Sequence, residues 1–221
     1  MRIAHYGHAC AVIDDPAGST GRILLDPGTL AQDLSDVGSV DAVLVTHEHP
    51  DHIETARLAN LRAANPDLAV YGSIGVPGAL VPAESERVTV LQSEDGKELG
   101  NATIAGWNVT YSSGPHATIH SALPGLVNNA YLIGGVVWHP GDAFAPPPEP
   151  IVVLLLPIGG PWMKLAEAVD FLRAVAPAVA IPIHQGGLAP AHQQLHYGLL
   201  AKLAPAGTEI VVPVTGEAIE P

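Results

Sequence analysis

The chain has 221 residues, of which 48% are hydrophobic and 14% are charged, so it can bury a substantial core, and we predict a single domain over residues 1–221. Its formal net charge is −13, from 22 acidic residues against 9 lysines and arginines that are scattered along the chain. This balance excludes nucleic acid as a partner, because a phosphate backbone is bound by clustered cations.

In chain order, short apolar runs predict strands at Ile3 to Tyr6, Cys10 to Ile13, Ile23 to Leu25, Ala42 to Val45, Leu68 to Tyr71, Val88 to Leu91, Thr103 to Tyr111, Ala130 to Ile133, Val136 to Trp138, Ile151 to Leu156, Val179 to Ile183 and Glu209 to Val214. Apolar residues at spacings of three and four predict helices at Ile53 to Ala64, Lys164 to Val175 and His192 to Leu203, with a short one near Pro77 to Val81. This mixture indicates sheets packed together with helices outside them, and not an all-β barrel.

The single cysteine and the apolar runs bear on where the protein works. Cys10 has no second cysteine with which to form an internal disulfide, which is typical of a reducing compartment. The most apolar run, Ile151 to Ile158, is far shorter than the roughly 20 residues of a bilayer span, and the N-terminus lacks the apolar region of a cleaved signal. We therefore predict a cytoplasmic protein without a membrane partner.

The segment THEHPDH concentrates metal-ligating side chains between a predicted strand and a predicted helix. His47 and His49 are two positions apart, so in extended backbone both imidazoles point to one side and can reach one ion. Pro50 keeps His49 extended, and Asp51 and His52 then begin the next element in another direction. Such geometry favours two metal ions over one, whereas a solvated turn capped by Asp51 would leave the three histidines unexplained.

THEHPDH matches the HxHxDH signature of the metallo-β-lactamase superfamily, and further motifs of that family occur in order along the chain. They are LLDPG with Asp26, SSGPHATIH with its histidine, WHPGDAF with Asp142, and IPIH with His184. The chain most resembles the compact branch that contains the ascorbate-6-phosphate lactonase-like hydrolases. The resemblance implies an α/β (α+β) fold, a four-layer αββα sandwich, with a dinuclear metal site between the sheets.

Carried onto this sequence, the resemblance also implies a ligand set. His47, His49 and His116 would hold one metal, Asp51, His52 and His184 would hold the other, and Asp142 would bridge both. PHATIH offers His120 as well, but His116 directly follows the predicted strand and its Gly-Pro turn. His120 would then face the substrate or support a ligand.

Asp26 resembles the family aspartate that supports the metal-binding loop. It would orient a ligand histidine through its ring N–H, as carboxylates beside metal sites do. An ordinary turn aspartate before Pro27 and Gly28 is compatible with that role.

The ligand types predict the chemistry. Nitrogen and carboxylate donors without thiolates suit two divalent ions, zinc first, with manganese or iron as alternatives. Two such ions share a water, lower its pKa from about 15.7 towards about 7 and so supply a bridging hydroxide. We therefore predict a hydrolase of a small ester, lactone or phosphodiester. Asp51 is the candidate for orienting the nucleophile, and His120 or a metal-bound water is the candidate for donating a proton to the leaving group.

Two other functions use the same motifs. A metallo-oxidoreductase of this fold would bind iron, either as a persulfide dioxygenase or as a di-iron reductase, although the chain is short for the flavodoxin-like domain that such a reductase uses. A non-catalytic scaffold typically loses ligands, and none is lost here. The predicted partner is a small-molecule substrate, and the oligomeric state stays open.

Four further residues lie near the motifs, and the sequence leaves the roles of His8 and Lys164 open. His8, next to Gly7, could line the site, and His139 is predicted to be a hydrogen-bonded structural residue beside Asp142. Lys164 could contact an anionic substrate or could be a solvated lysine in the first turn of a helix. Cys10, inside an apolar run, is predicted to be a core residue and not a nucleophile.

Overall fold

A computed structural model of the protein describes residues 1–93 and 99–221. Its strands are β1 (Arg2–His5), β2 (Ala11–Asp14), β3 (Ile23–Leu25), β4 (Ala42–Val45), β5 (Ala69–Gly72), β6 (Val88–Val90), β7 (Gly100–Ile104), β8 (Trp107–Pro115), β9 (Val127–Ile133), β10 (Val137–His139), β11 (Val153–Pro157), β12 (Val179–Ile183), β13 (Glu209–Ile210) and β14 (Ala218–Ile219). Its α-helices are α1 (Thr55–Ala64), α2 (Pro82–Ser85), α3 (Leu165–Val175) and α4 (Pro190–Leu203). None of the helices in these two ranges is long and apolar enough to cross a bilayer.

The strands form two seven-stranded sheets, in the orders β14-β1-β2-β3-β4-β5-β6 and β13-β12-β11-β10-β9-β8-β7. In the first sheet β3 to β6 run parallel, and in the second sheet β10 to β13 run parallel. Parallel strands present their carboxyl ends at one edge of a sheet, which is where loops carry functional residues. Asp26, the THEHPDH turn, Asp142 and His184 follow β3, β4, β10 and β12, so the topology gathers them at these edges, and His116 follows the antiparallel β8.

Side-chain alternation along the strands creates the layers. In β4, Leu44 packs between the two sheets, whereas Val43 and Val45 point outwards into a cluster that contains Leu58 of α1. In β11, Leu155 faces the space between the sheets and its neighbours pack under α3 and α4. Because both faces of these strands are covered, their sequences are apolar throughout. The predicted four-layer αββα sandwich is confirmed.

Hydrogen bonds join the two sheets next to the carboxyl end of β4. The Asn129 backbone N–H donates to the Thr46 carbonyl over 2.8 Å, and the buried Tyr131 hydroxyl donates to the Val45 carbonyl over 2.8 Å. Asn129 Nδ2 also donates to the Leu91 carbonyl over 2.8 Å. Buried polar groups that are satisfied in this way define one arrangement of the sheets, and here they fix the position of the THEHPDH turn.

Three element predictions are wrong in detail. The predicted strand Thr103 to Tyr111 is a hairpin: Ala105 and Gly106 have φ of 49° and 81°, so the chain reverses between β7 and β8. The helix predicted near Pro77 to Val81 is a 3-10 turn at Val76–Ala79, and α2 follows it. Of the predicted strand Glu209 to Val214, only β13 forms. The strand β14 was not predicted, because two residues are too few to show a hydrophobic periodicity.

Candidate metal centre

The THEHPDH turn leaves β4 and folds back on itself before α1. The His52 N–H donates to the His49 carbonyl over 2.9 Å, and the Thr29 N–H donates to the Pro50 carbonyl over 2.8 Å. The LLDPG loop packs so closely that a Cβ on Gly28 would overlap the Asp51 carbonyl group. Glycine at position 28 therefore lets one loop support the other.

Two groups of potential ligands meet at this turn. Within each group, one ligand atom per residue lies within 4.8 Å of the others; the groups are His47, His49, His116 and Asp142, and His8, Asp51, His52 and His184. Asp142 lies between them, because its Oδ1 is 3.1 Å from His52 Nε2 and its Oδ2 is 3.0 Å from His184 Nε2. The structure thus brings together all the residues predicted as ligands, and His116 rather than His120 joins them.

Several atoms in these groups are buried and have no hydrogen-bond partner in the described part of the chain. They are Nε2 of His52, of His116 and of His184, and Oδ1 of Asp142. An unsatisfied buried polar atom costs roughly 1–3 kcal/mol, so a cluster of them needs an explanation. Imidazole nitrogens and carboxylate oxygens that converge on one space are the donors that divalent cations take. The donor set therefore fits bound metal ions.

The opposite ring nitrogens of the same histidines are engaged by acceptors. Nδ1 of His116 lies 2.6 Å from the Ala117 carbonyl, and Nδ1 of His184 contacts the Gly159 carbonyl. A carbonyl only accepts, so each Nδ1 carries the proton and each Nε2 keeps a lone pair. Such partners fix the tautomer and the ring orientation that a metal ligand requires.

Asp26 is buried behind the predicted ligands, and several groups donate hydrogen bonds to its carboxylate. Its Oδ2 accepts from His52 Nδ1 at 2.8 Å, from His139 Nε2 at 2.7 Å and from the Thr46 hydroxyl at 2.9 Å. Burial raises the pKa of the Asp26 carboxyl, but His52 and His139 outweigh it and hold that pKa far below its usual range. His139 is thus hydrogen-bonded, as predicted, and Asp26 orients His52 through its ring N–H.

The electrostatics of the centre favour a cation. Burial lowers the pKa of His52, yet the carboxylates of Asp142 and Asp26 on either side outweigh burial and raise it well above the ordinary value. Burial, reinforced by His52, holds the pKa of His47 well below its ordinary value. Positive charge is therefore stabilised between the carboxylates, while the neighbouring imidazole stays in the neutral form that metals bind.

His8 joins the second group by distance but acts as a hydrogen-bond donor. The Gly186 N–H donates to its Nδ1 over 3.1 Å, which leaves the proton on Nε2, 2.9 Å from Asp51 Oδ2. Burial lowers the pKa of His8, in keeping with a neutral ring. Its ring centroid also lies 4.0 Å from that of His184. His8, which the sequence suggested could line the site, therefore orients two of the predicted ligands.

Trp162 is a second contact that the sequence did not reveal. Its indole Nε1 donates to Asp142 Oδ2 over 2.7 Å, and the Asp142 backbone N–H donates to Asn128 Oδ1 over 3.0 Å. Burial raises the pKa of Asp142, but the nearby His52 outweighs burial and keeps it well below the usual range. The carboxylate between the two groups is thus ionised and held from several sides.

Backbone strain is concentrated at the centre. His8, Asp26 and His184 have φ of 51°, 41° and 61°, a region that costs non-glycine residues of order 1–3 kcal/mol each. The surrounding contacts hold this strain; for example, the His184 N–H donates to the His8 carbonyl over 2.9 Å. Strained backbone that persists in a buried, well-bonded region is typical of a functional site.

The remaining candidates lie around the centre. His120 is exposed and lines a cavity that His49 and His116 border, and its Nδ1 accepts from the Ala122 N–H over 3.1 Å. Lys164 is an exposed residue at the start of α3, where its N–H donates to Glu167 Oε2 over 2.6 Å. Cys10 is buried, and burial raises the pKa of its thiol, in keeping with a core residue.

Sequence comparisons agree with this centre. A family model described as the beta-lactamase superfamily domain matches residues 2–184. Protein Rv0786c of Mycobacterium tuberculosis is 38% identical over 216 residues, which cover 96% of each chain. The UPF0173 metal-dependent hydrolase TV0864 of Thermoplasma volcanium is 28% identical over 243 residues, covering 100% of this chain and 99% of its own.

Solved structures share the architecture. Igni18, a metallo hydrolase from the archaeon Ignicoccus hospitalis, matches with a TM-score of 0.68 at 21% identity and covers 99% of this chain and 97% of its own. The isothiocyanate hydrolase from Delia radicum gut bacteria matches with a TM-score of 0.63 at 15% identity, covering 100% of this chain and 99% of its own. At these identities the likeness concerns the fold.

Proposed function

The chain belongs to the metallo-β-lactamase superfamily, and from that membership we propose that it is a binuclear metal-dependent hydrolase of a small ester, lactone or phosphodiester. The observation that carries the proposal is the set of buried, unpartnered Nε2 and carboxylate atoms in two adjoining groups. Relatives and structural neighbours named metal-dependent or metallo hydrolases support it. Zinc is the first choice of metal because the donors are nitrogen and oxygen without thiolate.

The proposed ligands divide between two ions. His47, His49 and His116 would hold one, Asp51, His52 and His184 the other, and Asp142 would contact both. When bound, two divalent cations supply Lewis acidity that polarises the scissile bond and lowers the pKa of a shared water.

The chain's own residues then prepare the centre for hydrolysis. Asp26 holds His52 in one orientation, His8 holds Asp51, and Trp162 holds Asp142. Burial raises the pKa of the Asp51 carboxyl, but the hydrogen bond from His8 and the nearby His52 outweigh it, so Asp51 is ionised. Such a carboxylate can orient an attacking water and accept its proton. The leaving group needs a proton donor in turn, and His120, on the wall of the bordering cavity, is the candidate.

Elemental analysis followed by a substrate screen tests this proposal. We expect about two zinc ions per chain after purification without chelator, and hydrolysis of at least one member of a panel of esters, lactones, thioesters and phosphodiesters. Removal of the metal should abolish that hydrolysis, and added zinc should restore it. Bound iron with oxygen consumption and no hydrolysis would contradict the proposal in favour of an oxidoreductase.

A further inference from the structure

A cavity of about 640 Å³ opens beside the candidate metal centre. His49 and His116, both predicted ligands, form part of its wall, so a molecule in the cavity reaches the centre directly. Most of the remaining wall comes from the segment that follows β8, whose side chains there include Ile119, Leu123 and Leu126. Ile119 and Leu123 are 39% and 55% exposed, so they offer apolar surface to a molecule in the cavity.

The charges around this cavity are unbalanced. Among its described lining residues there is no lysine or arginine, and Glu48 is the one carboxylate. A second cavity of about 480 Å³, which shares His116, has no charged lysine, arginine, aspartate or glutamate in its wall either. Lys164, the cation considered for an anionic substrate, lines neither cavity.

Glu48 is fixed in this wall. A Cβ on Gly75 would overlap its carboxyl group, so the carboxyl group packs directly on that backbone. Its Oε2 is buried and makes no hydrogen bond within the described residues. A substrate anion placed in the cavity would therefore find no cationic side chain in the described wall with which to pair.

We propose that this cavity binds an uncharged, mainly apolar part of the substrate and disfavours an anionic part. This inference rests on the proposed function. The inference narrows the substrate class to neutral esters or lactones whose acyl chain packs on Ile119, Leu123 and Leu126. Substrates that carry a negative group beyond the scissile bond, such as a phosphate or a carboxylate, are disfavoured. In the reaction, water adds its hydroxyl to the acyl carbon, the acyl C–O bond breaks, and the alcohol leaves with the proton.

Two matched esters test the inference on the zinc-loaded protein: 4-nitrophenyl hexanoate, which is neutral, and mono-4-nitrophenyl adipate, which ends in a carboxylate. We expect kcat/KM for the hexanoate to exceed that for the adipate by at least about tenfold. Leu123→Lys, which places a cation in the wall, should reduce that ratio several-fold or reverse it. Leu195→Lys is the matched control, because Leu195 is equally exposed, at 55%, but lies on α4 and does not line the cavity.

Binding separates this inference from the proposed function. Hexanamide and the monoamide of adipic acid differ in charge in the same way, and their affinity for the metal-free protein is measurable by NMR titration without turnover. Tighter binding of hexanamide, lost in Leu123→Lys, supports the inference even if no ester is cleaved, in which case the proposed function fails alone. Equal or tighter binding of the anionic amide, or equal cleavage of the two esters, overturns it.

Discussion

The His8 imidazole donates a hydrogen bond from Nε2 to Asp51 Oδ2 over 2.9 Å, joining residues 43 positions apart in the chain. The His8 side chain is 2% exposed, whereas that of Asp51 is 27% exposed. A partly exposed carboxylate rotates freely unless something holds it, and His8 holds it towards His52 and His184. The turn between β1 and β2 therefore supports the predicted ligands of the second group without supplying one of them.

Removing this donor should weaken one metal site and spare the other. We expect His8→Ala to lower the affinity of the second site by roughly 10–100-fold, while the site formed by His47, His49 and His116 keeps its metal. His8→Gln retains a donor near the position of Nε2 and should restore most of the affinity. The measurement is the metal-to-protein ratio, together with the visible spectrum of the Co²⁺-substituted protein.

His192→Gln serves as the control, since His192 is an exposed residue of α4. Equal loss of metal in His8→Ala and His8→Gln would show that His8 is itself a ligand and not a positioning residue.

Asp142 and His49 should differ in how much metal their loss removes. Asp142 lies within 3.4 Å of histidines from both groups, whereas His49 belongs to one group only. We therefore expect Asp142→Ala to abolish the binding of both ions and His49→Ala to leave about one ion per chain, with hydrolysis lost in both variants. Isothermal titration calorimetry of the metal-free proteins with zinc measures the number of ions that each variant binds. Full activity in either variant would contradict the ligand assignment.

A single substitution can remove the Trp162 hydrogen bond to Asp142. Trp162→Phe keeps an aromatic ring but loses the Nε1–H, so the buried Asp142 carboxylate loses a charge-assisted donor worth roughly 1.5–3 kcal/mol. We expect zinc affinity and kcat to fall together, and the metal-free protein to lose stability as well because the smaller ring leaves a cavity. A variant that loses stability but binds zinc as tightly as the wild type would show that Trp162 serves the core alone.

Sequence reasoning reached the parts of the centre that local spacing encodes. The directions of the imidazoles in THEHPDH could be predicted from the segment alone, because side chains alternate in extended backbone and a proline follows His49. The predicted roles of Asp142 and His184 came from the family resemblance, because no local sequence pattern indicates that β10 and β12 end beside β4. Their proximity depends on the order of strands across two sheets.

The contacts of His8 and Trp162 with the predicted ligands could not be predicted from the sequence for a further reason. The direction of the His8 ring depends on a backbone φ of 51° and on the Gly186 N–H, which comes from the far end of the chain. The Trp162 contact likewise needs the loop after β11 to lie beside Asp142, which follows β10. Propensity and periodicity describe single elements, so contacts between loops stay invisible to them. The Ala105-Gly106 turn is different, because its glycine was a usable signal within a long apolar run.

The packing of Gly28 on the Asp51 carbonyl gives a prediction about stability and metal binding together. Gly28→Ala would place a methyl group inside that carbonyl, and because the obstacle is backbone, the THEHPDH turn itself must shift. We expect a loss of about 3 kcal/mol in the free energy of unfolding, measured by denaturant titration, and weaker zinc binding by the displaced Asp51. Gly78→Ala is the matched control, since a Cβ there meets no atom within 4 Å, and it should change stability by no more than about 0.5 kcal/mol. If the two variants unfold alike and bind zinc alike, the two loops do not depend on each other as the structure indicates.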